Sequence, residues 1–411
     1  MPEYYEKLSR AQVLRDPVHN FIEIDDQLIL DLIDTKEMQR MRRIKQLGTT
    51  FFVFPGGEHS RFSHSVGVYE ITRKICDVFE AEFSLESGYP DGWDKANRLT
   101  ALCAALLHDV GHGPYSHTFE HIFETNHEEM TNRIILDETT EVNQVLRKVS
   151  ADFPLEVASV ISHRHPNKQL VQMISSQIDA DRMDYLLRDS YFTGTGYGVF
   201  DLTRILRAIR PHKTGIVFSK STMHAVEDYV ISRYQMYVQV YFHPTIVGCE
   251  MVLINLLKRA RDYFDSHPEE IERHASLLAP IFYRDVSVSD YLNLDDGVLN
   301  AYFIKWQNSE DEILRDLSQR YLNRKHFVGA SIDEVDVDAV KASLLAQGLD
   351  PRYYTRESSA LNMPYAADEA KTEPIKLIDK NGALVNLNEV SPLIDSFNGE
   401  LYILERFYFP K

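Results

Sequence analysis

The apolar residues of this chain recur mostly at the spacing of amphipathic helices. Between residues 27 and 47, leucine, isoleucine and methionine return every three or four positions, with a break near Asp34-Thr35. The same period predicts helices along most of the chain up to residue 264, and shorter helices over residues 265–320. The expected helices after residue 47 span 63–82, 97–110, 116–124, 128–137, 140–149, 154–163, 168–189, 199–210, 221–241 and 244–264.

Strand patterns lie near the two ends of the chain. Residues 15–26 predict a turn followed by a short strand, because Asp16 precedes a proline. After about residue 325, the pattern predicts a helix over 335–347 and strands at 326–331, at 353–359, in two runs that flank Lys380-Asn381-Gly382, and in the final LYILERFYF. The expected fold class is therefore mainly α, with a helical domain over residues 1–320 and a small α+β region over residues 321–411.

Composition predicts a packed globular protein and limits its partners. Apolar residues make up 44% of the 411 residues, which is far too many for a disordered chain. The formal charge of −18 argues against a broad nucleic-acid-binding face, although a small basic pocket for an anionic substrate is compatible with it. The cysteines occur singly, the N-terminus is too polar for a signal peptide, and no apolar run approaches the ~20 residues of a membrane span. We therefore expect a cytoplasmic protein with reduced cysteines and no membrane partner.

One short stretch concentrates histidine. Five of the sixteen histidines fall within twenty residues of the chain. Such crowding is costly, because each buried imidazole needs a hydrogen-bond partner and neighbouring imidazolium groups repel each other. A metal ion, proton transfer or an anionic ligand is the usual reason for it. The five are His108, His112, His117, His121 and His127.

A candidate metal set includes one of these histidines. His108 and Asp109 end an apolar helix, His64 begins another helix, and Asp181 lies in the acidic stretch IDADRMDYLLRD. Each residue alone is more often a core polar group with a hydrogen-bond partner, but two imidazoles and two carboxylates together suit a divalent ion. Asp179 is an alternative fourth ligand. These residue types do not distinguish iron, manganese, zinc, nickel and magnesium.

The acidic stretch also predicts one polar helical face. Asp181, Tyr185 and Asp189 are four residues apart, so they share a face, and Arg182 adjoins them. This face offers a metal ligand, an aromatic ring and polar groups able to bind a sugar hydroxyl. Asp184 is expected to be an outer partner of a ligand or a surface group.

These motifs resemble a known family. His64, the His108-Asp109 pair and Asp181 resemble the H…HD…D pattern of the HD-domain metal-dependent phosphohydrolases. The stretches IDTKEMQRMRRIKQLGTTFFVFPGGEHSRFSHSVGV, LLHDVGHGPYSHTFEH and DADRMDYLLRDS resemble, more narrowly, the HD-domain deoxynucleoside triphosphate (dNTP) triphosphohydrolases, including the vertebrate enzymes with a sterile-alpha-motif domain and their bacterial relatives. The resemblance covers about residues 13–245 and implies an HD-type helical core at about residues 50–190. The region beyond about residue 325 contains no motif on which a resemblance could rest.

The resemblance implies metal-dependent hydrolysis of a dNTP to a deoxynucleoside and inorganic triphosphate. One divalent metal ion would be held by His64, His108, Asp109 and Asp181, and additional Mg²⁺ would accompany bound nucleotides. The residues implied around the α-phosphate, with His117 as the acid that protonates the leaving 5′-oxygen, are His112, His117, Glu120, His127 and Glu128. The residues implied to bind the phosphates, sugar and base are Gln46, Leu47, Arg61, Arg182, Tyr185, Asp189, Arg233 and Tyr241. Tyr185 beneath the deoxyribose would exclude a 2′-hydroxyl.

The resemblance also implies regulation. Family members are often homotetramers that bind an activating guanine nucleotide, dGTP or GTP, between subunits. The residues implied to bind it here are Arg15, Asp34, Gln39 and Arg42. Two positions depart from the family pattern, since Arg15 replaces an expected asparagine and Tyr237 stands where histidine is common. Two other functions stay open: a phosphodiesterase or phosphomonoesterase acting on another nucleotide, and a non-catalytic nucleotide sensor that keeps the HD scaffold.

Overall fold

Helices form most of the chain that the computed structural model describes, namely residues 7–362, 365, 373–400 and 402–411. The mainly α fold class is confirmed. The helices are α1 Gln27–Ile33, α2 Lys36–Arg40, α3 Arg61–Glu82, α4 Arg98–Leu107, α5 His117–Phe123, α6 His127–Leu136, α7 Glu141–Leu146, α8 Phe153–Ile161, α9 Lys168–Ile174, α10 Ala180–Thr193, α11 Leu202–Ala208, α12 Met223–Met236, α13 Pro244–Ser266, α14 Ile271–His274, α15 Ala279–Phe282, α16 Val288–Leu292, α17 Asp296–Trp306, α18 Glu312–Leu322, α19 Val337–Ala346, α20 Pro351–Tyr354, α21 Leu387–Val390 and α22 Pro392–Asp395. A 3-10 turn at Met41–Arg43 follows α2, and a π-helical turn at Tyr237–Tyr241 follows α12.

Three small sheets accompany the helices within the described residues. Their strands are β1 Lys7–Asp16, β2 Asn20–Asp26, β3 Ile209–His212, β4 Gly215–Ser219, β5 Val328–Ser331, β6 Arg356–Asn362, β7 Lys376–Ile378, β8 Leu384–Asn386 and β9 Tyr402–Phe409. β1 and β2 form an antiparallel hairpin, the second sheet has the order β3-β4-β7-β8, and the third has the order β5-β9-β6. β7 runs parallel to β4, so strands from both sides of the expected boundary at residue 320 share one sheet. The division into two domains stays a prediction.

Several elements agree with the sequence pattern. The break near Asp34-Thr35 separates α1 from α2, because the Thr35 side chain accepts the N–H of Met38 and caps the second helix. β7 and β8 pair antiparallel around the Asn-Gly sequence, where Gly382 has a φ of +83°. The last run of the chain is strand β9 over its described residues.

Two predicted helices were wrong in their extent. The single helix expected over 168–189 is two helices, α9 and α10, because the Asp179 side chain accepts the N–H of Arg182 and starts a new helix. The helix expected over 199–210 ends at Ala208, and the chain continues into the hairpin β3–β4, which the pattern did not indicate.

One strand prediction near the C-terminus was wrong in its start, whereas the turn and short strand expected over residues 15–26 are confirmed and one further strand precedes them. The strand expected from residue 353 begins only at Arg356, because Asp350 caps the short helix α20. Near the N-terminus, the Asp16-Pro17 turn is preceded by strand β1, which pairs with the expected strand β2. The residues of β1 are mostly exposed, so the strand shows no alternation of buried and exposed positions.

Helix α3 lies at the centre of the fold. Most of its residues are buried, and it packs against α4, α10 and β2. Its first turn is capped by Ser60, whose side chain accepts the N–H of Ser63. Because α3, α4 and α10 are neighbours, polar side chains near the ends of these three helices come together in the interior.

Gly67 on α3 makes room for a buried ion pair. A Cβ at this position would overlap Oδ1 of Asp184 and Nη2 of Arg188, two fully buried groups on α10. We expect Gly67→Ala to lower the free energy of unfolding by about 3 kcal/mol, because overpacking and displacement of a buried ion pair both destabilise the core. Chemical denaturation monitored by circular dichroism measures this loss.

Gly196 provides the matched control. It is exposed, and no atom lies within 4 Å of an added Cβ. Gly196→Ala should leave stability unchanged or raise it by up to ~1 kcal/mol, since alanine restricts the unfolded chain. Equal stability of both variants would contradict the packing argument for Gly67.

No single helix within the described residues is long and apolar enough to cross a membrane. One pair of consecutive helical segments, Lys220–Tyr241 and Pro244–Ser266, would be long and apolar enough together, but the two segments are bent by 59° relative to each other.

Candidate functional site

Three helices bring four potential metal ligands to one point. α3 carries His64 in its first turn, His108 and Asp109 follow α4, and Asp181 lies in the first turn of α10. The Nε2 atom of His64 lies 3.0 Å from Oδ1 of Asp181 and 3.7 Å from Oδ2 of Asp109. The Nε2 atom of His108 lies 3.4 Å from Oδ1 of Asp109 and 3.7 Å from Oδ1 of Asp181. The structure brings together all four residues of the expected metal set.

The donor atoms of this cluster are arranged for a cation. Nδ1 of His108 donates to the carbonyl oxygen of Ala105 at 2.9 Å, so its Nε2 lone pair is free. Nδ1 of His64 contacts Oδ2 of Asp184 at 2.8 Å. Both Nε2 atoms are buried without a hydrogen bond, since the 3.0 Å contact of His64 with Asp181 lies outside hydrogen-bond geometry. The donor atoms of His64, His108 and Asp109 all lie within 4.8 Å of one another, and together with Asp181, which is near both imidazoles, they fit a divalent metal ion.

A buried carboxylate behind the cluster orients His64. Asp184 accepts two hydrogen bonds of 2.9 Å from Arg188 and contacts Nε2 of His19 at 2.6 Å. Burial alone would raise the pKa of Asp184, but Arg188 and the hydrogen bonds from His19 and His64 hold it well below its usual range. The carboxylate favours the His64 tautomer with its proton on Nδ1, which leaves Nε2 for a metal. Asp184 is therefore a buried partner of His64 rather than a surface group, and its contact with His19, in the β1–β2 turn, was indicated by no sequence pattern.

Asp179 is not placed as a metal ligand. Its carboxylate accepts the N–H of Ser176 at 2.7 Å and the N–H of Arg182 at 2.6 Å, and it also pairs with the Arg182 guanidinium. These bonds cap α10. Asp181, two residues later, is the acid that contacts both imidazoles, so the geometry favours Asp181 over the alternative.

A second cluster of histidines adjoins the first. The rings of His112 and His127 stack with their centroids 4.0 Å apart. Glu120 accepts from Nδ1 of His127 at 2.8 Å and from Nδ1 of His117 at 3.0 Å. The Nε2 atom of His112 lies 3.2 Å from Oδ1 of Asp109. The two clusters therefore meet at the Asp109 carboxylate.

Glu120 carries the negative charge of the second cluster. Burial would raise its pKa, but the hydrogen bonds from His117 and His127 lower it. The His117 side chain is 72% exposed, so it can meet a substrate while Nδ1 stays bound to Glu120. Glu128, expected as a second orienting carboxylate, is exposed in the first turn of α6, and the described contacts to the histidines come from Glu120. His121 is exposed and lies outside the cluster.

Arg61 joins the two clusters. Its Nη1 donates to Oδ2 of Asp109 at 2.5 Å, and its Nε donates to Oγ of Ser116 at 2.9 Å. Burial and the charge of Arg61 hold the pKa of His112 well below its usual range, so this ring is neutral. Tyr115 and Ser116 have positive φ angles of 52° and 50°. Such a conformation is strained and persists only where surrounding contacts hold it.

Asp189 is the centre of the expected sugar site. It accepts from the Tyr241 hydroxyl at 2.7 Å and contacts Nε2 of His59 at 2.7 Å. The ring centroid of Tyr185 lies 6.4 Å from that of Tyr241. The backbone N–H of Gln46 donates to the carbonyl of His59 at 2.9 Å, and the buried side-chain oxygen of Gln46 has no hydrogen bond. Four expected residues are therefore neighbours, and no sequence pattern indicated the contact with His59.

The arginines expected to bind phosphates occupy two places. Arg182 and Arg233 line one cavity of about 970 Å³, together with Tyr237. The buried Nε of Arg233 has no hydrogen bond and is a free donor. Arg61 lies instead beside Asp109. Leu47 is half-buried in the loop after the Met41–Arg43 turn, next to Gln46.

Three of the four residues expected to bind a guanine nucleotide lie together. Gln39 accepts from Nε of Arg42 at 2.9 Å, and the Arg42 guanidinium lies 3.5 Å from the ring centroid of Phe62. Asp34 is exposed between α1 and α2, and its charge acts on the Arg42 guanidinium. The fourth residue, Arg15, is exposed on strand β1.

Two family models match this chain. The model described as HD domain covers residues 61–189, and the model described as HD associated region covers residues 200–401. An uncharacterised protein of Bacillus subtilis, YwfO, is 47% identical over 98% of this chain and 93% of its own length. This chain belongs to the HD-domain family.

Further relatives of this HD-domain protein carry descriptive names. The deoxynucleoside triphosphate triphosphohydrolase SAMHD1 homolog of Dictyostelium discoideum is 26% identical over 89% of this chain and 75% of its own length. The crystal structure of a phosphohydrolase from Bacteroides thetaiotaomicron matches 98% of this chain and 99% of its own, with a TM-score of 0.82 and 25% identity. HD domains are metal-dependent hydrolases, so this HD-domain protein is a phosphohydrolase, and its His/Asp cluster is the candidate metal site.

Proposed function

We propose that this HD-domain protein is a dNTP triphosphohydrolase, which converts a dNTP and water to a deoxynucleoside and inorganic triphosphate. One observation carries the proposal: the cluster of expected metal ligands and the histidine cluster around Glu120 meet at Asp109, whose Oδ1 lies near both His108 and His112. A phosphate group bound there contacts a cation and an acid at the same time. The name of the Dictyostelium relative supports the same reaction.

The first cluster would hold one divalent ion, through His64, His108, Asp109 and Asp181. When bound, the ion supplies charge neutralisation at the α-phosphate and activation of a water molecule. Arg61 and Asp184 prepare this site, because Arg61 fixes Asp109 and Asp184 fixes the tautomer of His64. Additional Mg²⁺ would accompany the nucleotide phosphates.

His117 would protonate the leaving group. An oxygen of water forms a bond to the α-phosphorus and releases one proton to solvent, the bond from phosphorus to O5′ breaks, and the electron pair on O5′ takes a proton from His117. Because Nδ1 of His117 is bound to Glu120, the imidazolium presents its other proton on Nε2. The Glu120 carboxylate orients the His117 ring, and His112 and His127 would line the same side of the phosphate.

The sugar site would select deoxyribose. The Asp189 carboxylate has acceptor capacity left beyond its contacts with His59 and Tyr241, which suits it to the 3′-hydroxyl. Tyr185 would pack beneath the sugar and exclude a 2′-hydroxyl. Arg61, Arg182 and Arg233 would bind phosphate oxygens through charge-assisted hydrogen bonds, and Gln46 and Leu47 would contact the sugar and base.

Product analysis tests the proposed reaction. The purified protein is incubated with each dNTP and with Mg²⁺, Mn²⁺, Fe²⁺, Zn²⁺ or Ni²⁺ in turn, and the products are separated by ion-exchange chromatography. Free tripolyphosphate together with an unphosphorylated deoxynucleoside is the expected result. Release of orthophosphate or of a nucleoside monophosphate would assign a phosphomonoesterase or phosphodiesterase instead. No turnover of any dNTP, with tight nucleotide binding, would assign a sensor.

We also propose that a guanine nucleotide activates the enzyme from a subunit interface of a homotetramer. The grouping of Asp34, Gln39 and Arg42 supports it. dGTP should stimulate hydrolysis of another dNTP. Asp34→Ala should raise the dGTP concentration needed for half-maximal stimulation about tenfold, since a hydrogen bond to a charged group contributes roughly 1.5–3 kcal/mol. A titration of initial rates against dGTP measures this.

The control for this titration lies one helical turn earlier. Asp31 pairs with Lys148 and does not belong to the group formed by Gln39 and Arg42. Asp31→Ala should therefore respond to dGTP like the wild type. Light scattering of the wild type with and without dGTP reports the tetramer. Absence of stimulation, or an unchanged response in Asp34→Ala, would exclude this site of activation.

A further inference from the structure

One buried carboxylate contacts both loops of the candidate active site. Asp296, the first residue of α17, accepts the backbone N–H of Tyr115 through Oδ1 at 2.8 Å. It accepts the backbone N–H of Lys45 through Oδ2 at 2.9 Å. Tyr115 lies two residues before His117, and Lys45 immediately precedes Gln46. Asp296 therefore connects the loop of the candidate acid to the loop of the candidate substrate site.

The segment before α17 makes further contacts with the same two regions. The Tyr291 hydroxyl donates to the carbonyl of Gly111 at 2.9 Å, one residue before His112. The Nε of Arg40 donates to the carbonyl of Leu294 at 2.9 Å. We call residues 291–296 the clasp segment. It bonds to the chain on both sides of the site, although neither the metal nor the substrate set includes any of its residues.

The loop that Asp296 holds needs external support. Tyr115 and Ser116 are both at positive φ, a strained conformation that persists only where surrounding contacts hold it. Arg61 bonds to Ser116 and Asp296 bonds to Tyr115. His117 follows directly and begins α5. These two bonds therefore help to fix the direction in which the chain enters α5, and with it the position of the His117 ring.

Burial of the charged Asp296 carboxylate is energetically unfavourable. It is 4% exposed, and burial raises its pKa to about 6, although the N–H groups of Lys45 and Tyr115 partly offset this. A neutral side chain would avoid the cost, but the two N–H groups need two separate oxygen acceptors. A carboxylate provides both, whereas an amide provides only one.

We propose that Asp296 is a positioning residue for the hydrolytic reaction. It holds the loop that contains His117 against the loop that contains Lys45, so that the acid is correctly placed relative to the bound nucleotide. This inference rests on the proposed role of His117 as the proton donor. Asp296 acts on the reaction through His117 and does not touch the substrate.

The substitution Asp296→Asn tests the proposal. The amide keeps one acceptor and turns an N–H group toward the other backbone N–H, so one of the two loops is released. We expect kcat for a dNTP to fall roughly 10- to 100-fold, since a displacement of about 1 Å at a reacting group costs up to about 10²-fold. The bound metal per chain should stay at the wild-type value, and KM should change less than kcat.

A double-mutant cycle separates positioning from general damage. If Asp296 acts through His117, the variant with both Asp296→Asn and His117→Ala should be no slower than His117→Ala alone. Independent structural damage would multiply the two losses, and that result would overturn the proposal. Tyr291→Phe removes only the hydroxyl bond of the clasp segment to Gly111, and it provides the same cycle if Asp296→Asn does not fold.

Hydrogen exchange gives a readout that needs no activity. In Asp296→Asn, peptides covering residues 42–47 or 111–118 should exchange faster than in the wild type, while the rest of the described core keeps its protection. Unchanged exchange at both loops would overturn the proposal. The matched control is Asp290→Asn, a neighbouring carboxylate that bonds to Ser287, which should leave exchange and kcat as in the wild type. If the wild type releases no triphosphate, the proposed function fails, whereas the exchange result still decides the positioning role.

Discussion

Replacing His108 by alanine should reduce dNTP hydrolysis by about a thousandfold or more. Its Nε2 is one of two buried imidazole nitrogens that have no hydrogen bond and lie beside Asp109 and Asp181. Loss of a single outer partner of a metal ligand already costs roughly 10- to 100-fold in metal affinity or activity, and loss of a ligand itself costs more. Steady-state kinetics, together with metal content from plasma mass spectrometry, measures both consequences.

Metal removal provides the companion experiment. Dialysis of the wild type against a chelator should abolish hydrolysis, and a divalent metal should restore it, whereas the same metal should not restore the His108 variant. His224→Ala is the control, because His224 is 80% exposed and pairs only with Glu227 among its described contacts. Wild-type activity of His108→Ala with one metal bound per chain would refute the assigned metal site.

Replacing His117 by alanine should lower kcat by about 10²- to 10⁴-fold while leaving the bound metal unchanged. A general acid contributes about this factor, and no other histidine of the cluster combines a bond to Glu120 with comparable exposure. Steady-state kinetics and the metal content from plasma mass spectrometry measure the two quantities.

His121 tests the specificity of that loss. It lies one turn later on α5 and is exposed, outside the cluster around Glu120. His121→Ala should therefore keep the wild-type kcat. If both histidine variants lost activity equally, the defect would come from a disturbed α5 and the assignment of the acid would be wrong.

The metal set could be predicted from the sequence because its residues adjoin clear helix boundaries. His108 and Asp109 follow an apolar helix that glycine residues end, and Asp181 lies in a stretch of four-residue spacing. Their outer partners could not be predicted. His19 and His59 come from a hairpin turn and an irregular loop, where no periodicity tells which way a side chain points, and they reach Asp184 and Asp189 only through the tertiary fold.

Local hydrogen bonds explain where helix prediction failed. The apolar period continues through residues 168–189, but Asp179 binds the N–H groups of Ser176 and Arg182 and starts a new helix there. Apolar periodicity indicates which face of a helix is buried. It does not indicate where a polar side chain binds backbone N–H groups and thereby interrupts the helix. The role of Asp296 was hidden for a similar reason, because it binds backbone groups far away in the sequence and has no neighbouring motif.

The clasp segment has a consequence for how this protein can evolve. The four expected metal ligands all lie within the HD-domain match, whereas Asp296, Arg233 and Tyr241 lie within the HD-associated match. A recombinant gene with a foreign second region would keep all four of these residues, but the bond to the N–H of Tyr115 would depend on whether the new region supplied an acceptor at this place. An exchange of the two regions between relatives therefore has to preserve contacts across their junction as well as each region by itself.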